Sequence, residues 1–160
     1  MQYFTIYDSP LGEILLLSDG EALTHLDFAG HWPDCERIPG ELPLFDEVQN
    51  WLDSYFRGED PSVSFPLAPR GTPFQKTVWQ ILLTIPKGKT HSYGSIAREM
   101  AGMLGKEKMS AQAVGQAVGR NPISIIIPCH RVVGARGQLT GYASGLDKKL
   151  WLLHHEEVML

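Results

Sequence analysis

The chain has 160 residues, enough for one domain or two small ones with a real hydrophobic core. Hydrophobic residues make up 43% and charged residues 20%, which is typical of a globular protein and excludes a disordered chain. No apolar run approaches the length of a membrane span, and the first residues show no signal-peptide pattern. With only two cysteines, Cys35 and Cys129, a disulfide framework is excluded and a reducing compartment is expected, with cytoplasm as the default.

The net charge of −4 hides a strong asymmetry between the two parts of the chain. Residues 1–70 carry three basic and 13 acidic side chains, a net of −10, whereas residues 71–160 carry 11 and five, a net of +6. This predicts two units, which we place at residues 1–65 and 66–160, with the second attracted to a polyanion. Nucleic acid is the obvious candidate. The alternative is a mildly basic solvated face that binds nothing.

The first unit begins with apolar clusters that predict three short strands, at residues 2–7, 13–18 and 22–28, separated by turns. A small antiparallel meander is therefore expected. Residues 43–57 then have apolar side chains at helical spacing, with Gly58 as the stop. The proline-rich stretch from Asp60 to Gly71 reads as a linker.

The second unit opens with Thr72-Pro73-Phe74-Gln75, a capping-box pattern that predicts a helix ending near Pro86. Two short helices follow, from Tyr93 to Met100 and from about Ser110 to Gly119. Inside a basic domain, this pair suggests a helix-turn-helix.

The second of these helices has two different faces. Its apolar residues can pack inward, and the opposite face carries only Gln112, Gly115, Gln116 and Gly119. Such a small, polar, uncharged surface would let another backbone approach closely, which suits a nucleic-acid groove. The alternative is a weak surface helix.

The most informative stretch is Asn121 to Arg131. Its four isoleucines, at positions 123 and 125–127, predict a buried strand that stops at Pro128 and presents Cys129 just past its end. The neighbouring His130 and Arg131 would lower the pKa of the thiol, and the thiolate is the nucleophilic form. An isolated cysteine more often packs as a small hydrophobe.

The remaining elements complete a wing and a final helix. Val132 and Val133 read as a strand, residues 134–137 as a basic turn, and residues 138–142 as a returning strand. A helix around Leu146 to His155 should bury Leu146, Leu150 and Leu153, with Glu156 at or just beyond its end.

The sequence around Cys129 resembles that of the O6-alkylguanine-DNA alkyltransferases, also called methylated-DNA–protein-cysteine methyltransferases. The resemblance lies in the order Pro128-Cys129-His130-Arg131-Val132, with Asn121-Pro122 before it and Gly141-Tyr142 after it. The resemblance continues nearly throughout the chain, in residues 9–12, 71–75, 92–94 and 152–156. It implies an α/β fold of α+β type. The N-terminal unit would be a small, ribonuclease H-like antiparallel sheet with a helix, and the C-terminal domain a mostly helical winged helix-turn-helix.

The family transfers the alkyl group from O6 of guanine in DNA to its own cysteine, once and irreversibly, with O4-alkylthymine as an alternative lesion. The resemblance therefore implies double-stranded DNA bearing an alkylated base as the partner. The protein would bind the minor groove as a monomer without a cofactor and rotate the nucleotide out of the duplex. Cys129 matches the nucleophile and alkyl acceptor, His130 the water-mediated base, and Glu156 the residue that orients His130. Tyr93 matches the proton donor to the base, and Asn121 a structural tie.

Further site residues follow from the same resemblance. The predicted DNA-binding residues are Ser110, Gln112, Gly115, Gln116, Arg131 and Arg136, and the predicted alkyl and base pocket comprises Tyr142, Ala143, Ser144 and Gly145.

This sequence departs from the family pattern at two positions. Gln112 stands where an arginine often fills the space of the flipped base, and Ser144 stands where a second glycine is common, which would narrow the pocket. Some relatives bind zinc in the N-terminal unit, but His25, His31 and Cys35 lack the matching spacing and a fourth ligand, so no metal is expected.

Three rival functions remain as alternatives. The first is a non-catalytic alkyltransferase-like protein that binds lesions, although such proteins usually carry tryptophan where this chain has Cys129. The second is a cysteine hydrolase, which would leave the Gln/Gly helix unexplained. The third is a winged-helix transcription regulator, in which a reactive thiol would be coincidental.

Overall fold

The computed structural model describes residues 2–159, and the chain divides into two compact units. The first unit contains the residues up to Arg70 together with Pro122–Ser124, and the second contains Gly71–Asn121 and the residues from Ile125 onward. The return of three residues to the first unit was not indicated by the sequence. No helix among residues 2–159 is long and apolar enough to cross a membrane.

The first unit is built on a four-stranded sheet with strand order β3-β2-β1-β4. Its strands are β1 (Gln2–Ser9), β2 (Gly12–Ser18), β3 (Leu23–Phe28) and β4 (Arg37–Pro39). The first three are antiparallel neighbours, as predicted. The short β4 pairs in parallel with β1 and was not predicted, because three residues ending in proline carry no readable alternation.

Helix α1 (Pro43–Phe56) follows the sheet, close to the predicted limits. The Tyr7 ring of β1 stacks on Phe56 at a centroid distance of 6.3 Å, and its hydroxyl donates to Asp53 at 2.6 Å. Buried side chains of the helix, among them Val48 and Leu52, complete the apolar core of this unit. The predicted sheet-and-helix arrangement is confirmed.

The isoleucine-rich segment does not form the predicted strand. Only Ile123 pairs, as an isolated bridge to Leu26 of β3, held by bonds from the Leu26 amide to the Pro122 carbonyl and from the Ser124 amide to the Leu26 carbonyl, both 3.0 Å. The chain then turns at Ile125, whose φ of 70° is rare for a β-branched residue. Residues 123–127 are all buried. The run of isoleucines therefore correctly indicated a buried segment, but not an extended backbone.

The second unit is mostly helical, as predicted. It contains α2 (Pro73–Leu82), α3 (Tyr93–Met103), α4 (Ala111–Gly119) and α5 (Leu146–His155), with β5 (His91–Ser92) and β6 (Val132–Val133) paired in parallel. The hydroxyls of Ser92 and Ser110 cap α3 and α4. The Trp79 indole of α2 donates to the Ala117 carbonyl of α4 at 2.9 Å and so connects these two helices.

The segment after β6 differs from the expected hairpin. The strand partner of β6 is β5, and residues 138–142 form no returning strand. The chain instead coils through a 3-10 turn at Ala135–Gly137, where Arg136 and Gly137 both have positive φ, and the Gly134 amide donates to the Gln138 carbonyl at 2.8 Å. Two successive left-handed residues make a tight turn here, but no strand pairing follows it over residues 138–142.

Helix α5 has the predicted limits but a rotated buried face. Leu146 is 47% exposed and Leu150 is half-buried, whereas Leu152, Leu153 and, unexpectedly, Lys149 are fully buried. The prediction was based on leucine spacing alone, and a lysine was not expected at a buried position of the helix.

The predicted capping box at the start of α2 is present, and it yields a stability test. The Thr72 hydroxyl accepts from the Gln75 amide at 3.1 Å, and the Gln75 side chain accepts from the Thr72 amide at 3.0 Å. Thr72→Ala should lower the free energy of unfolding by about 1 kcal/mol, measured by urea titration. Thr77→Ala in the same helix is the control. It removes only a hydroxyl bonded back to Pro73 and should change stability little. Equal effects of the two substitutions would contradict the cap.

Candidate active site

Cys129 opens a 3-10 turn, Cys129–Arg131, that leads directly into β6. Pro128 has no amide hydrogen, and its carbonyl accepts from the Arg131 amide at 3.0 Å, which closes the turn. Cys129 is 7% exposed and His130 is fully buried. The thiol therefore lies in a tightly folded turn, and not at the end of a strand as the sequence suggested.

Glu156, at the C-terminal cap of α5, binds both residues that follow the cysteine. Its Oε2 lies 2.6 Å from His130 Nε2, and its Oε1 accepts from Arg131 Nε at 2.7 Å. Burial alone would raise the pKa of this carboxyl, but the hydrogen bonds from His130 and Arg131, together with the charge of Arg131, lower it to about 2. Glu156 is therefore ionised throughout the physiological range.

His130 is held as a neutral base. Burial lowers the pKa of its imidazole, and the bond to Glu156 only partly opposes that effect. With Nε2 directed at Glu156, the other nitrogen, Nδ1, is buried and has no hydrogen-bond partner among residues 2–159. A neutral imidazole whose Nε2 donates to a carboxylate presents Nδ1 as a proton acceptor.

The pKa of the Cys129 thiol is raised, contrary to the expectation from its cationic neighbours. Burial is the main cause, and hydrogen bonds from Asn121 and Tyr142 together with the charge of Lys149 oppose it only in part. Neither His130 nor Arg131 lowers it, because His130 is uncharged and the Arg131 guanidinium is engaged with Glu156. The resting residue is therefore a thiol.

Lys149 is a site residue that the sequence analysis missed. Its ammonium is fully buried and donates to the carbonyls of Val132, at 2.7 Å, and Thr140, at 3.0 Å. Burial lowers the pKa of this lysine, while the neighbouring Cys129 raises it. The available signal was its spacing, since Lys149 lies three and four residues before the buried Leu152 and Leu153.

Asn121 and Arg131 both tie backbone segments to the site. The Asn121 side chain donates to the Ile127 carbonyl at 2.8 Å, which fixes the approach to Pro128. Arg131, predicted to contact DNA, reaches the Ile85 carbonyl at 2.6 Å as well as Glu156. Its side chain therefore links the end of α2 to the end of α5.

A cleft of about 720 Å³ lies along the exposed face of α4. Its lining includes the three predicted helix residues Gln112, Gly115 and Gln116, together with Tyr93 and Thr140. The Thr140 hydroxyl donates to the Tyr93 hydroxyl at 3.0 Å. The structure thus brings the Gln/Gly face and the phenol into one concavity.

The remaining predicted residues are not among those that line this cleft. Ser110 serves as the N-cap of α4, Arg136 is exposed, and residues 142–145 form the turn before α5. Gly145 has a φ of +108°, a backbone conformation that residues with a side chain rarely adopt, so a substitution there would be strained.

Comparison with known proteins is consistent along the whole chain. Residues 2–69 match the family model of the 6-O-methylguanine DNA methyltransferase ribonuclease-like domain, and residues 73–158 match that of its DNA binding domain. The chain is 48% identical over 158 residues to a methylated-DNA–protein-cysteine methyltransferase of Methanosarcina acetivorans, covering 96% of this chain and 97% of the relative. It is also 48% identical over 153 residues to that of Mycobacterium leprae, covering 94% and 89%. The crystal structure of Mycobacterium tuberculosis OGT in complex with DNA superposes with a TM-score of 0.87 at 41% identity, covering 97% of this chain and 92% of that one.

The Glu156 contacts yield a pH-dependent stability test. Glu156→Gln should lower the free energy of unfolding by about 3 kcal/mol at neutral pH, because it leaves the largely buried Arg131 guanidinium without its carboxylate partner. Since the folded pKa, about 2, lies below the usual 4.5, the stabilising contribution is complete above about pH 5 and is lost as the pH falls toward 2. The wild type should therefore lose more stability than the variant across that window, measured by urea titration.

Glu157→Gln is the matched control, because Glu157 is the exposed neighbour of Glu156. It should retain both the stability and the pH dependence of the wild type. Equal pH dependence in all three proteins would contradict the assignment of a depressed pKa to Glu156.

Proposed function

This chain belongs to the 6-O-methylguanine DNA methyltransferase family, and we propose that it repairs DNA by direct reversal, moving the alkyl group of O6-alkylguanine to Cys129. One observation carries the proposal: a cysteine whose next residue, His130, is a buried neutral base held by an ionised Glu156. The protein thus acts as a methylated-DNA–protein-cysteine S-methyltransferase. A thioether is not readily cleaved by water, so each molecule acts once.

Activation of the thiol begins with a proton transfer. The raised pKa of Cys129 means that the thiolate must be generated in the complex. A water bound at His130 Nδ1 takes the thiol proton and passes it to the imidazole, which Glu156 then stabilises as an imidazolium. The charge of Lys149 favours the thiolate as it forms.

The transfer step forms one bond and breaks one. The sulfur of Cys129 attacks the alkyl carbon, the bond from that carbon to O6 breaks, and its electron pair remains on the guanine. Tyr93 donates a proton to the developing negative charge and is reprotonated from the imidazolium through solvent. In the net reaction the thiol proton replaces the alkyl group on guanine, so atoms and charges balance.

DNA binding is assigned to the exposed face of α4 and to the cleft beside it. The relative from M. tuberculosis was crystallised with DNA. Gln112, Gly115 and Gln116 are small or uncharged, which suits close approach to a minor groove, with the alkylated nucleotide rotated toward Tyr93. Arg136, exposed after β6, contacts phosphate, whereas Arg131 supports the site internally.

Two further parts of the proposal concern assembly and compartment. The protein acts as a monomer, because Cys129, His130 and Glu156 all come from one unit of one chain. It acts in the cytoplasm, since both of its cysteines are free thiols.

In this proposal the turn at residues 142–145 faces the alkyl group and favours small adducts. Ser144 adds a side chain within the turn 142–145, and the positive φ of the following Gly145 disfavours a larger residue there. O6-methylguanine is therefore the favoured substrate over bulky O6 adducts, with O4-methylthymine as a second lesion of similar size.

The first test is a stoichiometric transfer assay. Mixing the protein with excess duplex DNA containing one O6-methylguanine should add one methyl group to the intact mass, located on Cys129 by peptide mapping. Cys129→Ser should gain nothing, and Cys35→Ser, the matched control, should gain one methyl. An unchanged mass with tight binding to the damaged duplex would instead identify a non-catalytic lesion binder.

The second test concerns the phosphate contact. Arg136→Gln should weaken binding to duplex DNA and reduce the slope of log K against log salt by about one. Arg57→Gln removes the same charge from the surface of the first unit and should leave both quantities unchanged. Loss of affinity in both variants, or in neither, would overturn the assignment of Arg136.

A further inference from the structure

We propose that Thr140 is a positioning residue that holds the Tyr93 phenol for proton donation to the leaving guanine, an inference that rests on the proposed function. The hydroxyl of Thr140 donates to the Tyr93 hydroxyl at 3.0 Å, and both residues line the cleft along α4. The sequence analysis gave Thr140 no role, and it placed this residue in a predicted returning strand.

Thr140 is held at three points. Its hydroxyl meets Tyr93, its carbonyl accepts from Lys149 Nζ at 3.0 Å, and its methyl group lies over Gly134, where an added Cβ would come within 3.1 Å of Thr140 Cγ2. The Gly134 amide in turn donates to the Gln138 carbonyl, which closes the turn that precedes Thr140. The direction of the hydroxyl is therefore set by its surroundings.

Accepting this hydrogen bond prepares Tyr93 to donate. A phenol oxygen that already accepts from Thr140 directs its own proton elsewhere, and chains of hydrogen bonds strengthen one another. As Tyr93 gives up its proton, negative charge develops on its oxygen and the bond from Thr140 becomes stronger. An interaction that strengthens during the reaction accelerates it, whereas one of constant strength does not.

Lys149 connects this arrangement to the nucleophile. The same ammonium that binds the Thr140 carbonyl also binds the carbonyl of Val132, three residues after Cys129, at 2.7 Å. The proton donor and the alkyl acceptor are thus fixed to one buried cation. Thr140 is the connection between that cation and Tyr93.

The test is a double-mutant cycle between Thr140 and Tyr93. Thr140→Val keeps the shape and the carbonyl but removes the hydroxyl, and it should lower the rate constant of methyl transfer at saturating DNA by about fivefold to tenfold. Thr140→Ser keeps the hydroxyl and should retain most of the wild-type rate. In a Tyr93→Phe background, where no phenol remains, Thr140→Val should have no further effect.

The readouts separate positioning from a structural role. Affinity for duplex DNA and thermal stability should be similar in the Val and Ser variants. If Thr140→Val slows transfer equally with and without the Tyr93 hydroxyl, or if Thr140→Ser is as slow as Thr140→Val, the proposal is overturned. A Thr140→Val variant that transfers at the wild-type rate also overturns it.

Failure of the inference is distinguishable from failure of the proposed function. If the wild type gains no methyl group on Cys129, the function is wrong and the cycle has no rate to compare. If the wild type gains one methyl group and the cycle shows no coupling, only the role of Thr140 is wrong.

Discussion

A single buried carboxylate organises the catalytic unit. Glu156 sits at the end of α5 and binds His130 and Arg131, and Arg131 continues to the Ile85 carbonyl beyond α2. Burying a carboxylate is costly unless it is paired, and the two donors keep this one ionised. The position of the Cys129 turn, the tautomer of His130 and the meeting of the two helix ends all depend on this arrangement.

The protonation states of Cys129 and His130 make the thiol of the resting protein a weak nucleophile. Burial keeps the sulfur protonated and the imidazole neutral, which is the opposite of an exposed, low-pKa cysteine. A protein that can be used only once gains from such restraint, because a free thiolate would be consumed by other electrophiles. Reactivity then arises when the substrate completes the site.

Local signals allowed much of the fold to be predicted from the sequence. The capping box, the first three strands and the short helices follow from turn and spacing chemistry that acts within a few residues. The isoleucine segment was misread because side-chain burial was mistaken for strand geometry, although Ile125 adopts a left-handed turn. Lys149 and Thr140 were missed because their roles arise from contacts between distant segments, including backbone carbonyls, which leave no mark in the sequence. The family motif predicted roles for Cys129, His130 and Glu156, and these roles stay predictions. Only the three-dimensional surroundings reverse the expected shift of the thiol pKa.

Pro122–Ser124 belong to the N-terminal unit although they lie in the second half of the sequence. The Leu26 amide donates to the Pro122 carbonyl, and the Leu26 carbonyl accepts from the Ser124 amide. Cys129 follows Ser124 by only five residues. The sheet of the acidic N-terminal unit therefore pairs with a segment that lies only a few residues before the nucleophile. This pairing also limits which N-terminal modules could replace the present one by recombination. A new N-terminal module would have to offer an open strand edge to these three residues, or leave the Pro122 carbonyl and the Ser124 amide unsatisfied.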